Sequence, residues 1–169
     1  MQAPTFDRVP AATDNGDGWT AAIGRRGLRT RLRHGIENET GKKRMIGYTT
    51  IGTSDLGRAT AFYDALLAEV GAKQLFDAER IFFYGTSLEG GGMLAVCTPY
   101  DEKDPAPGNG NMVAIPGGSP EGVDRLYARA IELGATDEGE PGERLPIFYG
   151  AYVRDLDGNK LCFFHMSLG

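Results

Sequence analysis

From Met45 onward, apolar and polar positions follow one succession twice. Ile46 to Gly52 reads as a strand. Ser54 or Asp55 then acts as a helix cap, because a side-chain oxygen there accepts from the free N–H groups of the first turn. Leu56, Ala59, Phe62, Tyr63, Leu66, Leu67 and Val70 recur at helical spacing. Gly71 ends that helix, since glycine takes the left-handed conformation without steric cost. Lys73–Phe76, Ile81–Tyr84 and Met93–Thr98 read as three further strands. Residues 99–110 are rich in Pro, Gly, Asn and Asp, the composition of a connection. The succession then restarts with a strand at Met112–Ile115. Ser119 caps a second helix, with Pro120 at the position where a missing N–H costs nothing. Val123, Leu126, Tyr127, Ala130, Ile131 and Leu133 form its apolar stripe, and Gly134 stops it. Residues 139–147 read as a loop rich in Gly, Pro and charge. Phe148–Arg154 and Lys160–Met166 pair as a hairpin, because Asp157-Gly158 supplies the positive φ that a tight turn requires.

The repeat has a fixed internal spacing. Tyr48 lies fifteen residues before Tyr63, and Met112 lies fifteen before Tyr127. Each helix ends in Gly-Ala, at Gly71-Ala72 and Gly134-Ala135. The expected fold is therefore α+β, with two βαβββ modules in residues 45–169. Paired modules of this kind build one shared pocket, and the residues lining it decide the chemistry.

Composition narrows the classes. The chain has 169 residues and 41% hydrophobic content, enough for one domain with a core plus a tail. No apolar run approaches the roughly 18 residues that span a membrane. No basic start followed by an apolar stretch marks a signal peptide. Cys97 and Cys162 fit neither a disulfide framework nor a zinc spacing, so a reducing cytoplasm is the expected setting.

Charge divides the chain. Residues 1–44 carry nine Lys/Arg and five Asp/Glu, a net of +4, whereas the remainder carries a net of -9. The first 44 residues show no sustained apolar period and are expected to be a disordered basic tail. Met45 opens the first strand, so an upstream extension added to the natural start at Met45 is the other reading. The acidic residues Asp7, Asp14, Asp17, Glu37 and Glu39 argue against an organellar leader. The basic run from Arg25 to Arg33 is the sole candidate for nucleic-acid contact, and a solvated tail is the simpler account.

Three segments carry a family resemblance. TSDLGRATAFYDALL (53–67), GNGNMVAI (108–115) and YGAYVRDLDGNKLCFF (149–164) resemble the vicinal oxygen chelate superfamily, which includes glyoxalase I, bleomycin-resistance proteins and extradiol dioxygenases. The resemblance covers nearly all of residues 45–169, and RDLDGNK before the last strand is its most specific part. It implies two βαβββ modules forming an open, barrel-like cleft of the glyoxalase/bleomycin-resistance type, and a homodimer. It also implies a divalent metal held by His, Gln or Glu on the first and last strands of each module. Carried over position by position, those sites hold Tyr48, Ala95, Met112 and Cys162.

That set departs from the family's donors. A hard divalent ion needs oxygen or imidazole ligands. Ala95 offers nothing, the Met112 thioether and Tyr48 phenol are poor donors, and one thiolate does not make a site. No cofactor is therefore expected, a divalent metal being the one the family would use. His34 lies in the tail, and strand alternation turns His165 away from Cys162, so no Ser–His–Asp set forms either. Gly90-Gly91-Gly92 precedes a strand, not the helix N-terminus that a phosphate loop exploits.

The expected function is metal-independent binding of a partly apolar small molecule, in a cleft lined by Tyr48, Thr50, Met112, Arg144, Tyr149, Cys162 and Phe164. The alternative is a lyase or isomerase of the lactoylglutathione lyase type, or a dioxygenase-like enzyme, with an unusual metal site. Each residue also has a plainer account. Tyr48 is either a cleft donor or a half-buried strand aromatic. Met112 and Cys162 suit core filling as well as a pocket. Arg144 is either an anion clamp or a solvated loop residue, and Tyr149 either closes the cleft or merely opens a strand.

Overall fold

The computed structural model describes residues 45–88 and 91–167. The expectations for the 1–44 tail, His34 and the start of the Gly90–Gly92 run lie outside those residues. The first module comprises β1 (Tyr48–Gly52), α1 (Leu56–Leu67), β2 (Lys73–Ala78), β3 (Ile81–Gly85) and β4 (Met93–Cys97). The second comprises β5 (Val113–Pro116), α2 (Pro120–Glu132), β6 (Thr136–Leu145), β7 (Phe148–Arg154) and β8 (Lys160–Met166). Each module forms an open four-stranded sheet, ordered β1-β4-β3-β2 and β5-β8-β7-β6. In both, the first strand runs parallel to the last and the other pairings are antiparallel.

Local chemistry sets the helix ends. The Asp55 carboxylate accepts from the Arg58 N–H at 3.0 Å and caps α1, while Ser119 Oγ accepts from the Gly122 N–H at 3.2 Å and caps α2. Gly71 and Gly134 follow the helical segments with φ of 69° and 97°.

Two segments differ from the sequence expectation. The composition of residues 139–147 predicts a loop, but β6 reaches Leu145 through three register irregularities against β7. Pro141 is tolerated because β6 is an edge strand, where a missing N–H breaks no second ladder. Gly139 and Gly142 sit at the irregularities and let the chain bend. Met112 precedes β5 and is not part of it.

The modules share one core. Phe62, Tyr63 and Leu66 of α1 meet Val123, Leu126 and Ala130 of α2, together with Ile51, Val96, Leu161 and Phe163 from the sheets. Burying each such large side chain contributes about 1.5–3 kcal/mol.

A polar clasp adds a second junction. The β7–β8 turn of the second module docks on the β1–α1 loop of the first. Asp155 is 7% exposed, and its carboxylate accepts from the Tyr63 hydroxyl at 2.6 Å. It also accepts from the Asp157 and Asn159 N–H groups and from Asn159 Nδ2. Asp157 accepts from Thr53 Oγ1 at 2.7 Å, from the Ser54 N–H and hydroxyl at 3.0 Å each, and from Arg58 at 2.8 Å. Asn159 Nδ2 also donates to the Gly52 carbonyl at 2.8 Å. The RDLDGNK segment is thus the inter-module joint. Arg154 does not pair with its neighbour Asp155 but with Glu138, at 2.8 Å.

Candidate functional site

Strand alternation gives each sheet a core side and an open side. In the first sheet, Ile51, Tyr84, Leu94 and Val96 point into the core. Tyr48, Thr50, Phe83 and Ala95 lie on the other side. Thr50 is in register with Ala95, and Ala95 with Phe83. The Tyr48 ring meets Phe83 edge-on at 5.3 Å, and Phe76 stacks on Phe83 at 4.3 Å. This open side is an aromatic wall, with Tyr48 54% exposed.

A groove of about 560 Å³ runs along the end of that wall, lined in part by Tyr48, Thr50, Ile81, Cys97, Arg80 and Tyr100. A second groove of about 660 Å³ adjoins it and shares Arg80, Pro99, Tyr100, Asp104 and Pro105. The connection between modules forms their outer rim, because it folds back onto the first sheet. A Cβ at Gly52 would meet Pro105 Cβ at 2.9 Å, so only glycine admits this approach. The Arg80 guanidinium lies 5.2 Å from the Tyr100 ring centre and donates to the Thr98 carbonyl at 2.8 Å. Burial pushes the Cys97 thiol up, with Arg80 acting in the opposite direction.

The open side of the second sheet has different chemistry. Cys162 is in register with Ala114 and Tyr152, and Phe164 with Gly150. Phe148 and Phe164 stack at 5.7 Å with an interplanar angle of 2°. Arg144 and Lys160 both face the Tyr152 ring, at 5.5 and 5.3 Å from its centre. Cys162 is fully buried, and that burial raises its thiol while Lys160, Tyr152 and Arg144 act the other way.

The seven residues expected in one cleft therefore divide. Tyr48 and Thr50 line the groove of the first module. Met112, Arg144, Cys162 and Phe164 belong to the second module, and neither groove includes them. Tyr149 differs most from its expected place. Its hydroxyl donates to Asp124 of α2 at 2.9 Å, on the core side of the sheet, and that hydrogen bond raises its phenol. Arg80, Cys97 and Tyr100 line the groove without having been singled out in the sequence. Only Tyr100 falls in the turn-rich stretch after Pro99, and that composition does not reveal where the connection folds.

The donors do not fit a divalent metal. Tyr48 and Ala95 stand on one sheet, Met112 and Cys162 on or beside the other. Among the described residues, no three His, Cys, Asp or Glu side chains gather in a way that could hold an ion.

No family model and no curated protein sequence matches this chain. Solved structures do. A glyoxalase/bleomycin resistance protein from Albidiferax ferrireducens T118 is 34% identical, with a TM-score of 0.67 over 73% of this chain and 99% of that one. A glyoxalase/bleomycin resistance protein/dioxygenase family enzyme from Burkholderia phytofirmans PsJN is 20% identical, with a TM-score of 0.59 over 72% and 98% of the two chains. A glyoxalase-related enzyme from Fulvimarina pelagi is also 20% identical, with a TM-score of 0.58 over 71% and 86%. At such identity the last two bear on the fold alone.

Proposed function

The chain belongs to the glyoxalase/bleomycin resistance protein family of the vicinal oxygen chelate superfamily, and from that premise we propose that it binds a partly apolar small molecule without a metal. The observation that carries this reading is the make-up of the open sheet faces. They present Tyr48 and Phe76, packed on the buried Phe83, on one module and Phe148 and Phe164 on the other, with a few polar groups between. Ligand sites are typically apolar surfaces with a small number of convergent polar groups. The positions that the family resemblance assigns to metal donors hold Tyr48, Ala95, Met112 and Cys162, a set that supplies at most one good ligand.

The same reading includes a homodimer. Both grooves draw almost all of their lining from the first module and the connection, with Asn159 alone from the second. A two-walled cleft then forms when the aromatic face of one copy meets the second-module face of its partner. Exposed Tyr48, Met112 and Met166, each more than 40% accessible, are the surfaces such an assembly covers. No helix of the described residues is long and apolar enough to cross a membrane, and free Cys97 and Cys162 suit a cytoplasmic setting.

The test is a thermal-shift screen of the full chain against apolar organic molecules and, separately, Mg, Mn, Ni and Zn. A ligand at one hundred times its Kd adds about 2.7 kcal/mol to stability. An organic ligand is expected to raise the Tm and the metals to leave it unchanged. A metal that binds stoichiometrically and confers lyase activity on a glutathione hemithioacetal would overturn the proposal.

A further inference from the structure

We propose that the open face of the second module recognises the carboxylate of an aromatic acid, with Arg144 and Lys160 as the anion-binding pair and Phe148–Phe164 as the apolar wall. This deepens the small-molecule reading above and rests on it.

Charge is the first observation. Arg144 and Lys160 stand at the Tyr152 ring, and Arg154 lies two residues along β7 on the same face. One carboxylate answers two of them: Glu138 Oε1 takes Arg154 Nε at 2.8 Å, and Oε2 takes Lys160 Nζ at 2.9 Å. Both Glu138 oxygens are thereby engaged. Arg144 has no carboxylate partner among the described residues, and its Nη2 donates only to the Glu140 backbone carbonyl. A guanidinium has five N–H donors in a planar fork that matches a carboxylate, so most of its donors stay available.

Placement is the second. The Arg144 guanidinium lies along bare backbone. A Cβ at Gly139 would come within 3.3 Å of its Nη2, and one at Gly142 within 3.6 Å of its Nη1. The two glycines leave a lane that holds the fork beside the Tyr152 ring. Arg144 is nevertheless exposed, so an incoming anion can reach it.

The apolar wall is the third. Phe164 lies two residues along β8 from Cys162, which is opposite Tyr152. Two strand residues span about 7 Å. Phe148 folds over Gly150, where a Cβ would meet its ring at 2.6 Å, and stacks parallel to Phe164. A ligand that places its carboxylate at Arg144 and Lys160 therefore lays its body against these rings, and a bicyclic aromatic covers that distance. The first module has the opposite character, because Asp101 and Asp104 share its groove with Arg80.

The test is calorimetric titration of the full chain with 2-naphthoate and with its uncharged counterpart 2-naphthamide, at fixed ionic strength. The naphthoate is expected to bind at least about ten-fold more tightly, as a charge-assisted pair requires. Arg144→Gln and Lys160→Gln are each expected to weaken naphthoate several-fold and leave naphthamide unchanged. Equal binding of acid and amide, with Phe164→Ala weakening both, would overturn the anion assignment and leave the apolar-cleft reading standing. Binding of neither probe also overturns it, and the general reading is then decided by the wider thermal-shift screen.

Discussion

The two modules share a topology and differ in almost every polar contact. Tyr63 and Tyr127 hold the same place in the repeat, yet they look in different directions. Tyr63 reaches across to Asp155 of the other module, and burial together with that carboxylate holds its phenol well above the ordinary value. Tyr127 is raised by burial and then by Asp137, on the β6 strand of its own module. The loop after β1 is Thr53-Ser54-Asp55 and receives the Asp157 carboxylate. Its counterpart after β5 is Gly117-Gly118-Ser119, with no side chain at the first two positions. Apolar periodicity and turn positions are thus enough to keep the frame twice. The polar side chains are then free to specialise, one loop as a joint and one sheet face as a cationic surface.

Asp155→Ala should separate the two modules most strongly. It leaves the buried Tyr63 hydroxyl and the part-buried N–H groups of Asp157 and Asn159 without their acceptor, while the Asn159 amide keeps the Gly52 carbonyl. Each buried group left unsatisfied costs roughly 1–3 kcal/mol, so a loss of about 3 kcal/mol or more is expected in urea denaturation. Tyr127→Phe, at the equivalent position of the other module, should cost under about 1 kcal/mol, because no inter-module joint depends on it. Equal effects would mean that the clasp does not join the modules.

Acid sharpens the same point through Asp157. Burial tends to raise its pKa, but hydrogen bonds from Ser54 and Thr53 and the Arg58 charge outweigh burial and hold it below the ordinary value. A folded-state pKa below the unfolded one means that the contribution is present above about pH 4 and is lost as pH falls through the folded value. Asp157→Asn should therefore destabilise by about 1–2 kcal/mol at pH 7, and the gap to the parent chain should close below about pH 4. Denaturation midpoints from pH 7 to pH 2.5 would show it. The Arg58 share is small, since that side chain is 43% exposed.

What could be read from the sequence follows from how far each signal reaches. The β7–β8 hairpin was legible to the residue, because Asp157-Gly158 fixes its turn and alternation fixes its faces. Both helices were legible from their caps, stripes and terminal glycines. β6 was hidden because Gly139, Pro141 and Gly142 look like a loop, and only an edge position makes them tolerable in a strand. Asp155 and Asp157 read as turn residues, since their partners Tyr63, Thr53 and Ser54 lie about a hundred positions away. Tyr149 was misplaced by parity. It lies an odd number of residues from Tyr152, the register partner of Cys162, and so belongs to the other face. The groove was out of reach because it depends on Pro105 approaching Gly52, a contact that composition does not encode.

The helix caps are where the two modules should behave alike. Asp55→Ala removes the acceptor for Arg58 N–H, and Ser119→Ala removes that for Gly122 N–H. Each is expected to lower stability by about 1 kcal/mol, with the two losses equal within a few tenths. A much larger loss for Asp55→Ala would mean that the clasp depends on how the α1 N-terminus is held. Thr53 donates to Asp157 beside it, so chemical denaturation of both variants in the Asp157→Asn background would reveal the coupling.

The smallest effect separates a site residue from a supporting one. The Tyr149 hydroxyl donates to Asp124 at a solvent-exposed contact, on the opposite face of β7 from Tyr152. A neutral donor replaced where water reaches the partner costs little, so Tyr149→Phe should lower stability by no more than about 0.5 kcal/mol. It should leave 2-naphthoate affinity unchanged. Tyr152→Leu, one face away on the same strand, removes the ring that Arg144 and Lys160 flank and should weaken the same ligand several-fold. If Tyr149→Phe weakened binding as much as Tyr152→Leu does, the ligand would be reading the core side of the second sheet, and the division between its two faces would not describe where this molecule works.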